Sequence, residues 1–503
     1  MFEENYPGSQ HPEAAVQEMI ATEELEKYPE GGKDAWLVVA GAWCAMIPSM
    51  GLLNTLAVLQ AWVTEYESQG LPESTIGWVF STFAFFLYFC GAQVGPIFDA
   101  HDVRYLVIPG CIGIVAAIML MSLCKEFYQF FLTFGVLGGM SASLLFNPSI
   151  SAIGHWFSER RALATGIACT AGGVGGVIFP LIILYLAPRV GFAWALRTVG
   201  FICLAVSVLA CLLLKKRLPP NKKAGAAIDI TALRDAKFAL TTLAVFLIEF
   251  AVFIPYTYIC SYAIHEGMGL QKSLLLNALL NAGAIPGRTL PGYVADRFGP
   301  FNVMCVTALV CSTFIFALWM TAQGGEAATT AFAILFGFWS GAAISLTPVC
   351  IGRVCETRDY GKRSGTAFSI SSIAALVGVP FAGAILQWCD GAYYGVIIFA
   401  GGLSATSNKS SSVSTTTMRP AALFSVAVAA LASLAQADRH SKRPKEIKEG
   451  CWYECDDRCY GKSWTLLDLS KFKNCMAWCL QHNAMSRLDD CVHLNAIGGG
   501  LLG

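Results

Sequence analysis

From Ala35 onward the chain alternates long apolar runs with short polar breaks. Each run is roughly 20 residues, enough for a helix to cross a hydrocarbon core about 30 Å thick. The pattern predicts helices near 35–60, 76–98, 105–123, 128–150, 163–186, 194–214, 239–262, 273–295, 301–320, 328–351 and 365–387. A twelfth run, AYYGVIIFAGGLSAT from Ala392, dissolves into SNKSSSVSTTT and reads as a truncated span. Residues 1–33 hold eight Glu and two Lys among Pro and Gly, and are expected to be disordered. The fold class predicted is all-α and membrane-embedded.

Charge placement orients these spans. With the N-terminus on the inner side, seventeen Lys and Arg fall in inner segments: Lys27, Lys33, Arg104, Arg160, Arg161, seven from Lys215 to Lys237, Arg297, Arg353, Arg358, Lys362 and Arg363. Only Lys125, Arg189 and Lys272 fall outside. The excess of basic residues places the N-terminus in the cytosol. The longest inner loop, 215–238, follows the sixth span and divides the chain into halves.

Composition narrows the class. The chain is 55% hydrophobic and 14% charged, against about 25% charged in soluble domains. Its 34 basic and 34 acidic residues cancel, so no global basic field points to nucleic acid. GGVGG at 172–176 lies inside a span, not between strand and helix. It suits close helix approach rather than phosphate binding. His11, His101, His155 and His265 lack metal-ligand spacing, so no metal and no cofactor is expected, and the chain is not read as an enzyme.

The halves echo each other at a spacing of about 200 residues. GPIFD (95–99) after span two matches GYVAD (292–296) after span eight, and SERRALATG (158–166) after span four matches DYGKRSGTA (359–367) after span ten. With PEGGKDAWLVVAGAW (29–43), GPIFDAHDVRYLVIPG (95–110), FNPSISAIGHWFSERRALATGIA (146–168) and GRTLPGYVADRFGPFN (287–302), residues 29–400 resemble the major facilitator superfamily, in the fungal form of its monocarboxylate-porter branch. That resemblance implies two six-helix bundles working by alternating access.

Candidate chemistry follows from charges in apolar surroundings. Arg288 in span eight and Glu249 in span seven are costly at mid-membrane, so such groups usually face a wet cavity. Asn277, Asn281, Ala284 and Arg288 share one helix face. A guanidinium grips a carboxylate with two parallel hydrogen bonds and keeps its proton. Glu249 and Tyr256 form a second stripe, in which Glu249 is the proton-coupling candidate. The alternative for both charges is snorkelling to the nearer interface. Asp99 with Arg104, and Asp296 with Arg297, sit where helices leave the basic side and are expected to latch the halves by ionic contact. Arg160 and Arg161 join that gate or serve only as topology signals. In monocarboxylate porters an Arg in span eight is the anion anchor, and the resemblance puts Arg288 there. The same porters use an Asp one turn earlier and a Lys in span one for proton coupling. Here those positions hold Ala284 and Asn54, and Asn54 joins the expected solute-binding set. Fungal relatives of this type are linked to varied organic solutes, riboflavin included.

The C-terminal region follows a different pattern. Met418, Arg419, the apolar run 421–435 and Ala435-Gln436-Ala437 have the order of a secretory signal peptide. Beyond it Cys451, Cys455, Cys459, Cys475, Cys479 and Cys491 have the density of a disulfide scaffold, an α-hairpin-like module. Asn408, in an NKS sequon, is a glycosylation candidate. The expected organisation is a disordered cytosolic segment (1–33), six helices (34–214), a cytosolic linker (215–238), a second bundle (239–405), a Ser/Thr linker (406–417), a signal-like segment (418–437) and a cysteine-rich module (438–503), lumenal or extracellular if the signal-like segment acts. The function expected is secondary active or facilitative transport of a small organic solute. A monocarboxylate or related anion is favoured, carried across the plasma membrane with or without a symported proton. The alternatives are a transport-incompetent anchor for the cysteine-rich module, or a joining of two gene products.

Overall fold

The computed structural model describes residues 28–63, 73–219, 230–322, 325–389 and 392–414. The signal-like segment and the six tail cysteines lie outside the described residues. Within them the regular structure is helical throughout. We number the long helices α1 (Gly32–Trp62), α2 (Ile76–Ala100), α3 (Arg104–Met121), α4 (Phe127–Trp156), α5 (Arg161–Val190), α6 (Phe192–Leu213), α7 (Ala236–His265), α8 (Leu270–Phe298), α9 (Pro300–Trp319), α10 (Glu326–Arg353), α11 (Tyr360–Trp388) and α12 (Tyr394–Ser414). Ten are long and apolar enough to cross a membrane. The two outside that set are α8, with two Asn and an Arg at its middle, and α12, apolar only over Tyr394–Ser404.

The twelfth helix is the first correction. The expected truncation near residue 405 does not occur, and α12 runs 21 residues to Ser414, taking in most of the expected Ser/Thr linker and Asn408. Hydroxyl side chains can satisfy themselves on the helix or its neighbour without ending it. Thr406 Oγ1 donates to Gly402 O at 2.8 Å and Ser407 Oγ to Ala244 O at 3.2 Å. A second correction concerns the N-terminus. Residues 28–31, expected to be disordered, are held by specific hydrogen bonds to the basic face.

The two halves are built alike. In the first, α6 packs on α1 and α3, and α3 on α4; in the second, α7 and α9 pack on α12, and α8 and α9 on α10. They meet along two seams, α8 against α5 and α11 against α2. Large apolar side chains such as Tyr105, Ile112, Phe298 and Trp388 are exposed on the outside. Asn54, Glu249, Asn277, Asn281 and Arg288 are buried within. Apolar outside and polar inside is the arrangement expected where lipid is the solvent, since polar groups at membrane depth belong against protein or a wet cavity.

Candidate functional site

The polar stripe of α8 lies on the α5–α8 seam. Asn277, Asn281 and Arg288 are each 0% exposed. The facing stretch of α5 is glycine-rich because a side chain there would collide: a Cβ on Gly172 would overlap Arg288 Nη1, and one on Gly176 would overlap the Asn281 amide. The GGVGG run therefore does let two helices approach, and the helix it admits is the one carrying the charge.

Close approach exposes α5 carbonyls to α8. Arg288 Nη1 donates to Cys169 O at 2.6 Å, a bond that crosses between halves. Arg288 Nε and Nη2 are buried and have no hydrogen-bond partner among the described residues. These two nitrogens form the edge of the guanidinium that grips a carboxylate bidentately. The tie to Cys169 O leaves that edge fixed in direction and free.

Asn54 joins the same seam through a break in α1. Pro48 lies at the start of a short π-helical stretch, Ile47–Gly51, and the helix restarts only at Leu56. In the gap Val58 N donates to Thr55 O at 3.1 Å, while Asn54 O accepts from Asn277 Nδ2 at 3.1 Å. Asn54 Nδ2 donates to Gly172 O at 2.9 Å. Asn281 Nδ2 donates to Asn277 O at 2.9 Å, and Asn281 Oδ1 is buried without a partner.

Helix α7 closes the site. Glu249, 2% exposed, meets the Tyr88 hydroxyl of α2 as a hydrogen-bond partner and lies within electrostatic reach of Arg288. Tyr256 lies within hydrogen-bonding reach of the Arg288 guanidinium and accepts from Ser340 Oγ of α10 at 3.4 Å. The structure thus brings together all the expected solute-site residues, Arg288, Asn281, Asn277, Tyr256 and Asn54, with Glu249 beside them. Neither charge snorkels. Sequence reasoning missed Tyr88, Ser340 and the α5 carbonyls. Tyr88 sits in an unbroken apolar run, and a backbone carbonyl has no sequence signature.

The basic face is closed by carboxylates on helix N-termini. Asp296, at the end of α8, accepts from Ala162 N at 2.8 Å and Leu163 N at 2.9 Å in the first turn of α5. Asp99, at the end of α2, accepts from Lys362 N at 2.8 Å in the first turn of α11. Both contacts cross between halves, and both use the partial positive charge of a helix start. Gly361 permits the second, since a Cβ there would overlap Asp99 Oδ1. The expected pairing of these acids with the neighbouring arginines is not what forms. Arg104 is exposed, with its backbone N on Asp102 Oδ1, and Arg297 turns back onto Tyr293 of its own helix. Arg161 is buried and crosses the seam, its guanidinium 4.0 Å from the centre of the Tyr360 ring. Arg160 is exposed.

Three groups not foreseen complete this face. Glu30 accepts from Ser158 N at 2.6 Å, Glu159 N at 2.8 Å and Arg160 N at 3.1 Å, next to the amides taken by Asp296. Tyr28 hydroxyl meets Thr357 Oγ1 of the other half at 2.5 Å. Lys216 Nζ donates to Phe98 O and Asp99 O, each at 2.6 Å, at the C-terminus of α2. Burial pulls the Lys216 ammonium below the usual lysine range, and Asp99 and Asp102 oppose that shift.

Residues 41–379 match the profile of the Major Facilitator Superfamily. The chain belongs to this superfamily. It is 36% identical over 376 residues to "MFS-type transporter 1" of Ophiocordyceps sp. (strain BCC 1869), covering 75% of this chain and 84% of that protein. It is 33% identical over 408 residues to the riboflavin transporter MCH5 of Saccharomyces cerevisiae, covering 76% of this chain and 78% of that one. The solved structure of human MFSD10, an organic anion transporter, superposes with a TM-score of 0.60 at 14% identity, covering 75% of this chain and 98% of that one, a likeness of fold. The protein is thus a fungal-type MFS transporter, a multi-pass membrane protein that moves a small solute and is not an enzyme.

Proposed function

We propose that this MFS transporter carries a small organic anion, a monocarboxylate or a related acid, by alternating access, as a secondary active or facilitative carrier. The observation that carries the reading is the Nε–Nη2 edge of Arg288, buried, preset by Cys169 O and unpartnered. A buried donor left unsatisfied costs about 1–3 kcal/mol, more when charged. An arrangement of that kind persists where a ligand completes it. Asn277, Asn281 and Asn54 line the same seam, Tyr256 faces Arg288 from α7, and these groups would accept or donate to the rest of the solute.

The basic face would be cytosolic, in the plasma membrane, with the N-terminus inside. The conformation described would then be one closed toward the cytosol. Opening inward would require Asp99 and Asp296 to leave the first turns of α11 and α5, and Arg161 to leave Tyr360. Arg104, Arg160 and Arg297 would act as orienting charges. Ala284 and Asn54 replace the porters' coupling acid and lysine, so any proton would travel on Glu249, whose partner Tyr88 lies in the other half. The 21 residues of α12 reach about 31 Å at 1.5 Å per residue, so the anchor alternative loses its motive. Residues 418–503 would be a separate secreted product, a reading supported by the signal-peptide-like order of Met418, Arg419, the apolar run and Ala435-Gln436-Ala437. Sequencing the transcript across codons 400–420 tests the join.

Transport is tested with the full chain in proteoliposomes. Uptake of a labelled monocarboxylate is expected to rise when the side it leaves is acidified. Glu249→Gln should abolish that response while retaining exchange of the anion. A response to the pH gradient unchanged in Glu249→Gln would remove the proton role. No anion flux of any kind would remove the reading.

A further inference from the structure

Beside the polar site lies a cluster of four aromatic rings, two from each half. Tyr88 of α2 and Phe146 of α4 belong to the first half, Phe253 of α7 and Phe368 of α11 to the second. Tyr88 and Phe368 stack across the seam, centroids 5.6 Å apart and planes 14° from parallel. Edge contacts join Tyr88 to Phe146 at 5.9 Å and to Phe253 at 6.3 Å, and Phe146 to Phe368 at 5.3 Å. Tyr88, Phe146 and Phe368 are buried. The Tyr88 hydroxyl ends on Glu249, the neighbour of Arg288, so the ring cluster and the free guanidinium edge belong to one site.

We infer that the solute is a planar aromatic or conjugated carboxylate, whose acid group binds the Nε–Nη2 edge of Arg288 and whose ring takes the place of a ring partner between Tyr88 and Phe368. The inference rests on Arg288 as the anion anchor and adds the solute's shape. Alternating access parts the halves, and the α2–α11 seam is one of the two along which they meet. Parting it splits the Tyr88–Phe368 stack and bares a ring face on each half. Aromatic faces favour an offset-stacked partner beyond the area they bury. A flat ring restores that geometry on both sides at once. A puckered aliphatic ring of the same size and charge fills the volume without stacking. The ring contacts also cross between halves, so a planar solute would be felt by both.

The test compares 2-naphthoate with decalin-2-carboxylate, its saturated analogue, both ionised at pH 7.5. Equilibrium binding of each is measured on the purified full chain in detergent, in wild type, Arg288→Gln and Phe368→Leu. The expected result is that wild type binds 2-naphthoate roughly tenfold tighter. Phe368→Leu should bring 2-naphthoate to the affinity of the saturated analogue and leave the latter within about twofold. Arg288→Gln should lose both. Equal affinities in wild type, lost together in Arg288→Gln, would overturn the aromatic inference and leave the anion anchor standing. Absence of binding by either compound would overturn the anchor and this inference with it. Should Phe368→Leu fail to fold, the wild-type ratio decides alone.

Discussion

At the basic face, Asp296 takes two backbone amides of α5 and Asp99 one of α11, while Glu30 takes three more beside them. At the centre, on the same two seams, Arg288 spends one nitrogen on Cys169 O and leaves two without a partner. Both crossings leave buried charged atoms without a partner among the described residues, Asp99 Oδ1 and Arg161 Nη2 at the basic face and Arg288 Nε and Nη2 at the centre, but only at the centre do two such nitrogens form one bidentate edge. The proposed gate is repeated, with one acid contributed by each half to a helix start of the other. The centre is not repeated: Arg288, Asn277, Asn281, Glu249 and Tyr256 all come from the second half, and the first supplies Asn54, Tyr88 and backbone carbonyls. A gate has only to hold and release, so groups within the chain suffice. The proposed solute site has to prefer something absent from the chain, and a buried pair of unpartnered donors spaced for a carboxylate would be the physical form of that preference.

The contrast can be broken at either end. Arg288→Gln removes the charge and the fork together, and uptake of an organic anion should fall about a hundredfold or more, as for loss of a buried, hydrogen-bonded charge. Arg288→Lys, which keeps the charge but not the fork, should recover only a small part of it. At the gate, Asp296→Asn removes charge-assisted bonds to two amides, worth about 1.5–3 kcal/mol each. Labelling of a cysteine placed on the basic side of the seam should rise tenfold or more. Asp99→Asn, with one amide bond, should act in the same direction and less. Tyr28→Phe breaks the tie to Thr357 and should shift the same labelling by about 1 kcal/mol. Arg104→Ala should change it by under about 0.5 kcal/mol, since the side chain is exposed and its backbone alone bonds Asp102. A large effect of Arg104→Ala would restore the ionic latch and contradict the helix-cap account.

Legibility in the sequence follows the same division. The helix pattern was readable because apolar length is all a span needs. It failed at α12, where hydropathy stops counting at serine although the helix does not stop. The acids proposed to gate could be picked out because GPIFD and GYVAD repeat. Their partners were not, because amides of a helix start look like any other residues, and the adjacent arginines drew the assignment. The stripe of α8 was readable from its 3.6-residue period. Tyr88 and Phe368 were hidden, since a ring buried between the halves and a ring facing lipid are spelled alike. Glu30 was hidden by its acidic, Pro- and Gly-rich surroundings, although the turn it needs is written in the glycines that follow: Glu30, Gly31 and Gly32 all have positive φ.

The most direct measurement is an experimental structure of the full chain with a transported organic anion bound. The account predicts both carboxylate oxygens within hydrogen-bonding distance of Arg288 Nε and Nη2, between α5 and α8. An anion seated elsewhere, with that edge of Arg288 still bare, would contradict it.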